Sequence, residues 1–330
     1  MTGSPLDVLG IGNAIVDVIA RADDATLARF GLSKGTMTLI DGERAQELYA
    51  AMGPGQESSG GSAANTMAGI ASLGGRGAFV GKVRDDQLGG IFGHDIRAVG
   101  TRFDSSPADS GPPTARCLIF VTPDAQRTMA TFLGISTALS AEDLDLDLCA
   151  QAKITYLEGY LWDAPPAKAA FVAAARAAHE GGQRVALSLS DPFCVERHRE
   201  SFRELVAHHV DILFANEAEI TALYEVDSFD AALQQVRGHC EVAALTRSEK
   251  GSVVLAGDEV HVVDAEPVAQ LVDTTGAGDL YAAGFLHAFC EGRDLYTCGK
   301  VGAICAGEVV SHVGARPLVP LKDLVAEKLG

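Results

Sequence analysis

The sequence predicts a three-layer α/β/α protein, with helices on both faces of a mostly parallel sheet and a small β-sheet lid on one edge. Three observations predict it. Short apolar runs of strand length alternate with longer runs of helix length through most of the 330 residues, the pattern of parallel strands joined by crossover helices. Two segments, 13–41 and 114–133, break that rhythm with β-rich runs that no crossover helix follows. Finally, 47% hydrophobic residues, and 36 glycines without a G-X-Y period, exclude a disordered or collagenous chain. A chain of this size buries about three quarters of its unfolded surface.

The elements follow in order. DVLGIG (7–12) is read as the first core strand. AIVDVIA, a short helical piece and TMTLID then fill 13–41. AANTMAGIASLG (63–74) is a helix of small residues, RGAFVGKV (76–83) a strand and DQLGGIFGHDIRAVG (86–100) a helix. TARCLIFVTPDAQRTMATFL (114–133) is a hairpin, two β-rich runs around a Pro-Asp turn. Strands KITYLEG (153–159), RVALSL (184–189), DILFA (211–215) and EVAALT (241–246) alternate with helices PAKAAFVAAARAAHEG (166–181) and ERHRESFRELVAHH (196–209). Proline in the first turn and glycine after the last mark the helix ends. The expected division is a large domain of 1–12, 42–113 and 134–330, and a small, antiparallel lid of 13–41 and 114–133.

Charge narrows the partners. The chain carries 26 basic and 44 acidic residues, net −18, which repels a phosphate backbone and disfavours nucleic acid. A single loop can still bind a small anion through backbone amides. No run of 18 uncharged apolar residues suggests a membrane span, and the N-terminus lacks signal-peptide character. Seven scattered cysteines without C-x-x-C suit reduced core thiols and a cytoplasmic location. The P-loop, Rossmann, zinc-protease and α/β-hydrolase motifs are all missing from the sequence.

The sharpest stretch is Asp273-Thr274-Thr275-Gly276-Ala277-Gly278-Asp279, running from a strand end straight into LYAAGFLHAFCEG. Gly276 and Gly278 let an anion approach the main chain, and the amides of 276–279 become free donors at a helix N-terminus. Asp279, in the first turn, is expected to stay ionised there and to accept a proton. A Gly-Gly loop stands at Ser59-Gly60-Gly61-Ser62-Ala63-Ala64-Asn65-Thr66. Asp17 interrupts an apolar strand, and a buried carboxylate needs partners, which hydroxyls of a ligand would supply. Asn216 and Glu219 are spaced as a capping box. The chain has only three asparagines, Asn13, Asn65 and Asn216, all in these loops.

Together these motifs resemble the ribokinase-like, or PfkB-type, carbohydrate and nucleoside kinases. The match runs through Gly12-Asn13-Ala14-Ile15-Val16-Asp17, the Gly-Gly loop, Asn216-x-x-Glu219, Thr246–Gly251 and 273–279, in family order. GNAIVDVIA, KGTMTLID and 114–134 look closest to bacterial adenosine kinase-like proteins. The resemblance implies ATP as co-substrate with Mg²⁺, and a small-molecule nucleoside or sugar as acceptor. It implies acceptor contacts from Asn13, Asp17, Gly61, Ser62 and Asn65. It places ATP along Asn216, Thr246, Gly251 and Gly278, the base at Asp279 among Gly276, Ala277 and Gly278, and Mg²⁺ through water at Glu219. It also implies a monovalent-cation site, K⁺, at Asp273, Thr275 and Gly314. His312 is placed near the adenine, whereas Arg116 is read as an exposed strand position. Adenosine is the expected acceptor, giving AMP as in purine salvage. The alternatives are a ribokinase- or fructokinase-like sugar kinase, an inosine/guanosine kinase, and a non-catalytic nucleoside sensor. Either a monomer or a homodimer is consistent with the chain.

Overall fold

The computed structural model describes residues 6–124 and 126–330. The first five residues of the large domain, and Ala125 of the hairpin turn, lie outside that description. Thirteen strands are found among the described residues: β1 Val8–Ile11, β2 Ile15–Arg21, β3 Met37–Leu39, β4 Gly55–Gly60, β5 Gly77–Val80, β6 Ala115–Val121, β7 Arg127–Phe132, β8 Ile154–Glu158, β9 Arg184–Ser188, β10 Ile212–Asn216, β11 Val242–Thr246, β12 Ser252–Ala256 and β13 Glu259–Val263.

Eight of them form the large sheet in the order β13-β12-β11-β10-β9-β8-β1-β5. From β5 to β11 every pairing is parallel, and β12 and β13 continue it antiparallel. Alternation along each strand feeds two cores. Val8, Phe79, Tyr156, Phe214 and Val254 point to one face, with Met67 and Ile70 of helix Ser62–Ser72 and with Leu280 and Phe285 of helix Ala277–Cys290. Leu9, Ile11, Leu157, Leu187 and Leu245 point to the other, with Phe171 of helix Pro165–Glu180 and Phe202 of helix Pro192–His209. Strands buried on both sides read as unbroken apolar runs, which is why the sequence locates them. All seven cysteines are free thiols, and no described helix is long and apolar enough to cross a membrane.

The small sheet has the order β3-β7-β6-β2-β4, and it corrects two expectations. It is mixed rather than antiparallel, because β2 runs parallel to β6 and β3 parallel to β7. Its edge strand β4, GQESSG, comes from the segment assigned to the large domain. Nothing apolar alternates in β4. It is a strand because its backbone pairs with β2, from Ile15 opposite Gly60 to Ala20 opposite Gly55.

Candidate active site

Parallel strands carry their C-terminal ends to one edge, where ligand sites of such sheets form. Here that edge gathers Asn13, just past β1, Glu158 at the end of β8, and Asn216 and Thr246, paired neighbours at the ends of β10 and β11. The small sheet begins two residues after Asn13, so β2 and the Gly-Gly loop stand over the same edge.

The signature turn closes it. Gly276 has φ +80°, and a Cβ there would meet the Ala315 Cα at 2.8 Å, so conformation and packing both require glycine. No side chain caps the helix that follows. The Ala277 amide is spent on the Thr274 carbonyl at 3.2 Å, which withdraws it from the expected cradle of 276–279 and leaves the Gly278 and Asp279 amides at the helix end. Above Gly278 a Cβ would touch nothing within 4 Å, so an anion has a clear approach to those amides.

Asp279 joins the two halves of the cleft. Its Oδ1 accepts from the Ser62 hydroxyl at 2.6 Å and its Oδ2 from the Asn65 Nδ2 at 2.9 Å. Burial raises its pKa, against those two bonds and the Arg316 guanidinium. An ionised carboxylate whose pKa is raised in this way is a stronger proton acceptor. Across the cleft, Asp17 lies against the Gly-Gly loop so closely that a Cβ on Gly60 would collide with its carboxylate. Desolvation raises Asp17 to about 6, with Arg316 and Arg127 pulling it down and Asp279 pushing it up. No protein hydrogen bond reaches this carboxylate among the described residues.

Asn13, expected among the acceptor contacts, is turned inward here. It is buried; its Nδ2 donates to Glu158 Oε1 at 2.7 Å, and its Oδ1 accepts from Ser136 at 2.8 Å. Glu158 escaped the sequence reading. It is 1% exposed and also takes the amides of Asn13 (3.2 Å) and Ala63 (2.8 Å), tying β8 to the β1–β2 junction and to the helix after the Gly-Gly loop. Burial nevertheless lifts it to about 7. Removing it strands those three neutral donors at about 1–3 kcal/mol each, so Glu158→Ala should destabilise the fold by about 3 kcal/mol or more, read as a lower midpoint in urea. An unchanged midpoint would show that Glu158 does not hold this junction together.

On the nucleotide side, Asn216 and Glu219 form a reciprocal capping box at 2.7–2.9 Å. Each Glu219 oxygen accepts one bond and keeps a lone pair, and burial raises the group to about 7. That fits contact with Mg²⁺ through water. Among the described residues no group of three His, Cys, Asp or Glu is set to hold a metal directly. Gly251, φ +79°, closes the turn after Thr246, and its carbonyl accepts from the Arg247 amide at 2.8 Å.

At the expected monovalent-cation site the Asp273 carboxylate is not free to ligate, which leaves only backbone oxygens of the segment for a cation. Asp273 Oδ1 accepts from the Thr275 amide and hydroxyl (3.0 and 2.7 Å). Its Oδ2 accepts from Gly314 at 3.0 Å and pairs with Arg127 of β7. Four donors fill the carboxylate, and one of them already carries positive charge. Asp273, Thr275 and Gly314 thus form a latch between the small sheet and the signature turn. His312 is held by Glu308 at 3.2 Å. Arg116 is only partly exposed and stacks between Tyr49 and Phe132; it shares the face of Val16, opposite that of Asp17. A second residue missed in the sequence is Arg316, which donates to the Ser59 carbonyl and hydroxyl at 2.8 and 3.0 Å.

Comparison with known proteins agrees with this geometry. Residues 30–322 match the pfkB family carbohydrate kinase profile. The structure is similar to that of adenosine kinase from Sinorhizobium meliloti: 54% identity, 99% of this chain and 100% of that one covered, TM-score 0.91. It is similar to a probable sugar kinase from Rhizobium etli CFN 42: 48% identity, 98% and 99% covered, TM-score 0.91. A probable chloroplastic fructokinase-6 from Arabidopsis thaliana is 28% identical over 82% of this chain and 74% of its own. A cleft that sets a carboxylate beside a bare amide turn, and a profile that matches nearly the whole chain, lead to one statement: this chain belongs to the pfkB family of carbohydrate kinases.

Proposed function

We propose that the protein transfers the γ-phosphoryl group of ATP to the 5′-hydroxyl of adenosine, giving AMP. The observation that carries this reading is the junction at Asp279: the carboxylate beside the free amides of the signature turn is held by Ser62 and Asn65 of the Gly-Gly loop. An alcohol seated between Asp17 and Asp279 loses its proton to Asp279 as its oxygen attacks phosphorus in line. Asp17, with Gly61, Ser62 and Asn65, positions the ribose. Thr246, Gly251 and Asn216 border the nucleotide, and the Gly278 and Asp279 amides face the transferring group. Mg²⁺, reached through water from Glu219, supplies charge neutralisation when bound. Position and electrostatics are what this transfer asks of a protein, and the small sheet over the cleft limits water as a rival acceptor.

Two features favour a nucleoside over a bare sugar. Ile15 and Ile19 share the face of Asp17 on β2 and are partly exposed, whereas Val16 and Val18 are buried. This apolar wall suits a purine ring. The 54% identity to a bacterial adenosine kinase points the same way. The sugar reading rests on the probable sugar kinase at 48% identity.

A coupled ADP-release assay over nucleosides and sugars tests the reading. Adenosine should give the highest kcat/KM. A higher value for fructose, ribose, inosine or guanosine would reassign the acceptor, and nucleoside binding by calorimetry without ADP release would make the protein a sensor.

A further inference from the structure

Arg316 follows Gly314-Ala315 in the C-terminal loop, and its guanidinium is buried in the cleft wall. One nitrogen, Nη2, is bound to Ser59. The other two, Nε and Nη1, are buried with no partner. No carboxylate stands within 4 Å of this arginine among the described ion pairs, yet Asp95, Asp17 and Asp279 all act on it electrostatically. A buried cation without a paired anion is costly to keep, and so is a buried N–H without an acceptor. Arg127 and Arg116 also carry a buried Nε without a partner, but Arg127 is neutralised by Asp273 and Arg116 lies over two aromatic rings, whereas Arg316 leaves two nitrogens unanswered and has no paired carboxylate.

Position says what would answer this one. Ala315, the residue before it, packs on Gly276 of the signature turn, and Ser59, which it binds, adjoins Gly60, against which the Asp17 carboxylate lies, so the guanidinium stands between the acceptor carboxylate and the turn that carries the proposed base. A neutral nucleoside brings no anion there. The group that does is the phosphoryl in transfer, with its equatorial oxygens.

Arg316 is also held in place. Ser59 is buried at the end of β4; Asp95 accepts its amide and its hydroxyl at 2.8 and 2.5 Å. Asp95, Ser59 and Arg316 thus make one chain of hydrogen bonds, from helix Gln87–Ala98 through the strand that enters Gly60-Gly61 to the C-terminal loop. A guanidinium fixed beforehand need not reorganise as charge develops.

We propose that Arg316 is a catalytic residue whose Nε and Nη1 bind oxygens of the phosphoryl group as it passes from nucleotide to acceptor. The inference rests on the kinase reading above. In the step, the bond from acceptor oxygen to phosphorus forms and the bond from phosphorus to the ADP oxygen breaks. The hydroxyl proton goes to Asp279, and the products are a phosphate monoester and ADP. Arg316 exchanges no proton.

The test compares wild type with Arg316→Met, Arg316→Lys and Ser59→Ala. Each is assayed for kcat, both KM values and melting temperature, using whichever acceptor the wild type phosphorylates. Arginines that stabilise this transfer are worth about 10³-fold or more in rate, so Arg316→Met should lose that factor in kcat while its ATP KM and melting temperature stay close to wild type. Arg316→Lys should fall between, added guanidinium ion should restore part of the Met variant's rate, and Ser59→Ala should lose less than Arg316→Met. Calorimetry with ADP, acceptor and fluoroaluminate, a mimic of the phosphoryl in transfer, should show weaker binding to Arg316→Met. An unchanged kcat, a loss confined to the acceptor KM, or unchanged fluoroaluminate affinity overturns the proposal. If Arg316→Met fails to fold, Arg316→Lys decides it, with wild-type rate and fluoroaluminate affinity counting against. Failure of the adenosine reading looks different: the wild type would release ADP with a sugar and not with adenosine, and the Arg316 comparison would run on that sugar.

Discussion

Asp279→Asn is expected to lower kcat by about 10²–10⁴-fold, the worth of a positioned general base, while ATP and acceptor still bind. The substitution keeps the shape of the side chain. Its amide oxygen can accept from Ser62 or Asn65, so the bridge between the signature turn and the Gly-Gly loop survives in part. What disappears is the capacity to take a proton. Stability should not suffer. Burial raises the pKa of Asp279, so the folded state holds its proton more tightly than the unfolded chain does, and stability from this group is present at low pH and lost as pH rises through the folded pKa. A neutral amide escapes that loss. The wild-type rate should show the reverse limb, falling as acid protonates the base, and the limb should be absent from the residual rate of the variant. Steady-state kinetics across pH decide it. A variant that turns over normally at neutral pH would remove Asp279 from the chemistry.

How much of this was legible in the sequence depends on how far apart the interacting groups lie along the chain. The large sheet was legible because strands covered on both faces are continuous apolar runs, and the helices between them carry their own stop signals. The signature turn was legible because its chemistry is local: two glycines, a free helix end and an acid within seven residues. β4 was not, since GQESSG becomes a strand only by pairing with β2. Glu158 was not, since it ends the apolar run KITYLEG and its partners stand 145 and 95 residues away. A lone acid closing a core strand was the only available sign. Arg316 was a single charge in VGARPLVP, with no local partner to mark it. The scarcity of asparagine marked three loops, but not the bonds each side chain makes. Asn65 reaches Asp279, Asn216 caps its own helix, and Asn13 is turned inward on Glu158 and Ser136.

Asp17→Ala should separate function from stability in opposite directions. Two hydrogen bonds from a charged carboxylate to sugar hydroxyls are worth about 1.5–3 kcal/mol each, so losing both should lower kcat/KM for the acceptor by roughly 10²–10⁴-fold, with the ATP KM little changed. The same residue burdens the fold. Its pKa is raised to about 6 from 3.8, so the folded protein pays for ionising it, and the stability held below the unfolded pKa is lost as pH rises through about 6. Because the side chain is partly exposed, the cost at neutral pH is on the order of 1–2 kcal/mol. The alanine variant should therefore melt higher than wild type at pH 7 to 8, and the difference should vanish toward pH 4. Acceptor affinity in the wild type should weaken as pH falls below about 6, where the carboxylate takes up its proton. A structural edge carboxylate would give the opposite pattern, a lower melting temperature with acceptor KM intact. Only a group kept unpaired for a ligand gains stability and loses its acceptor in the same substitution.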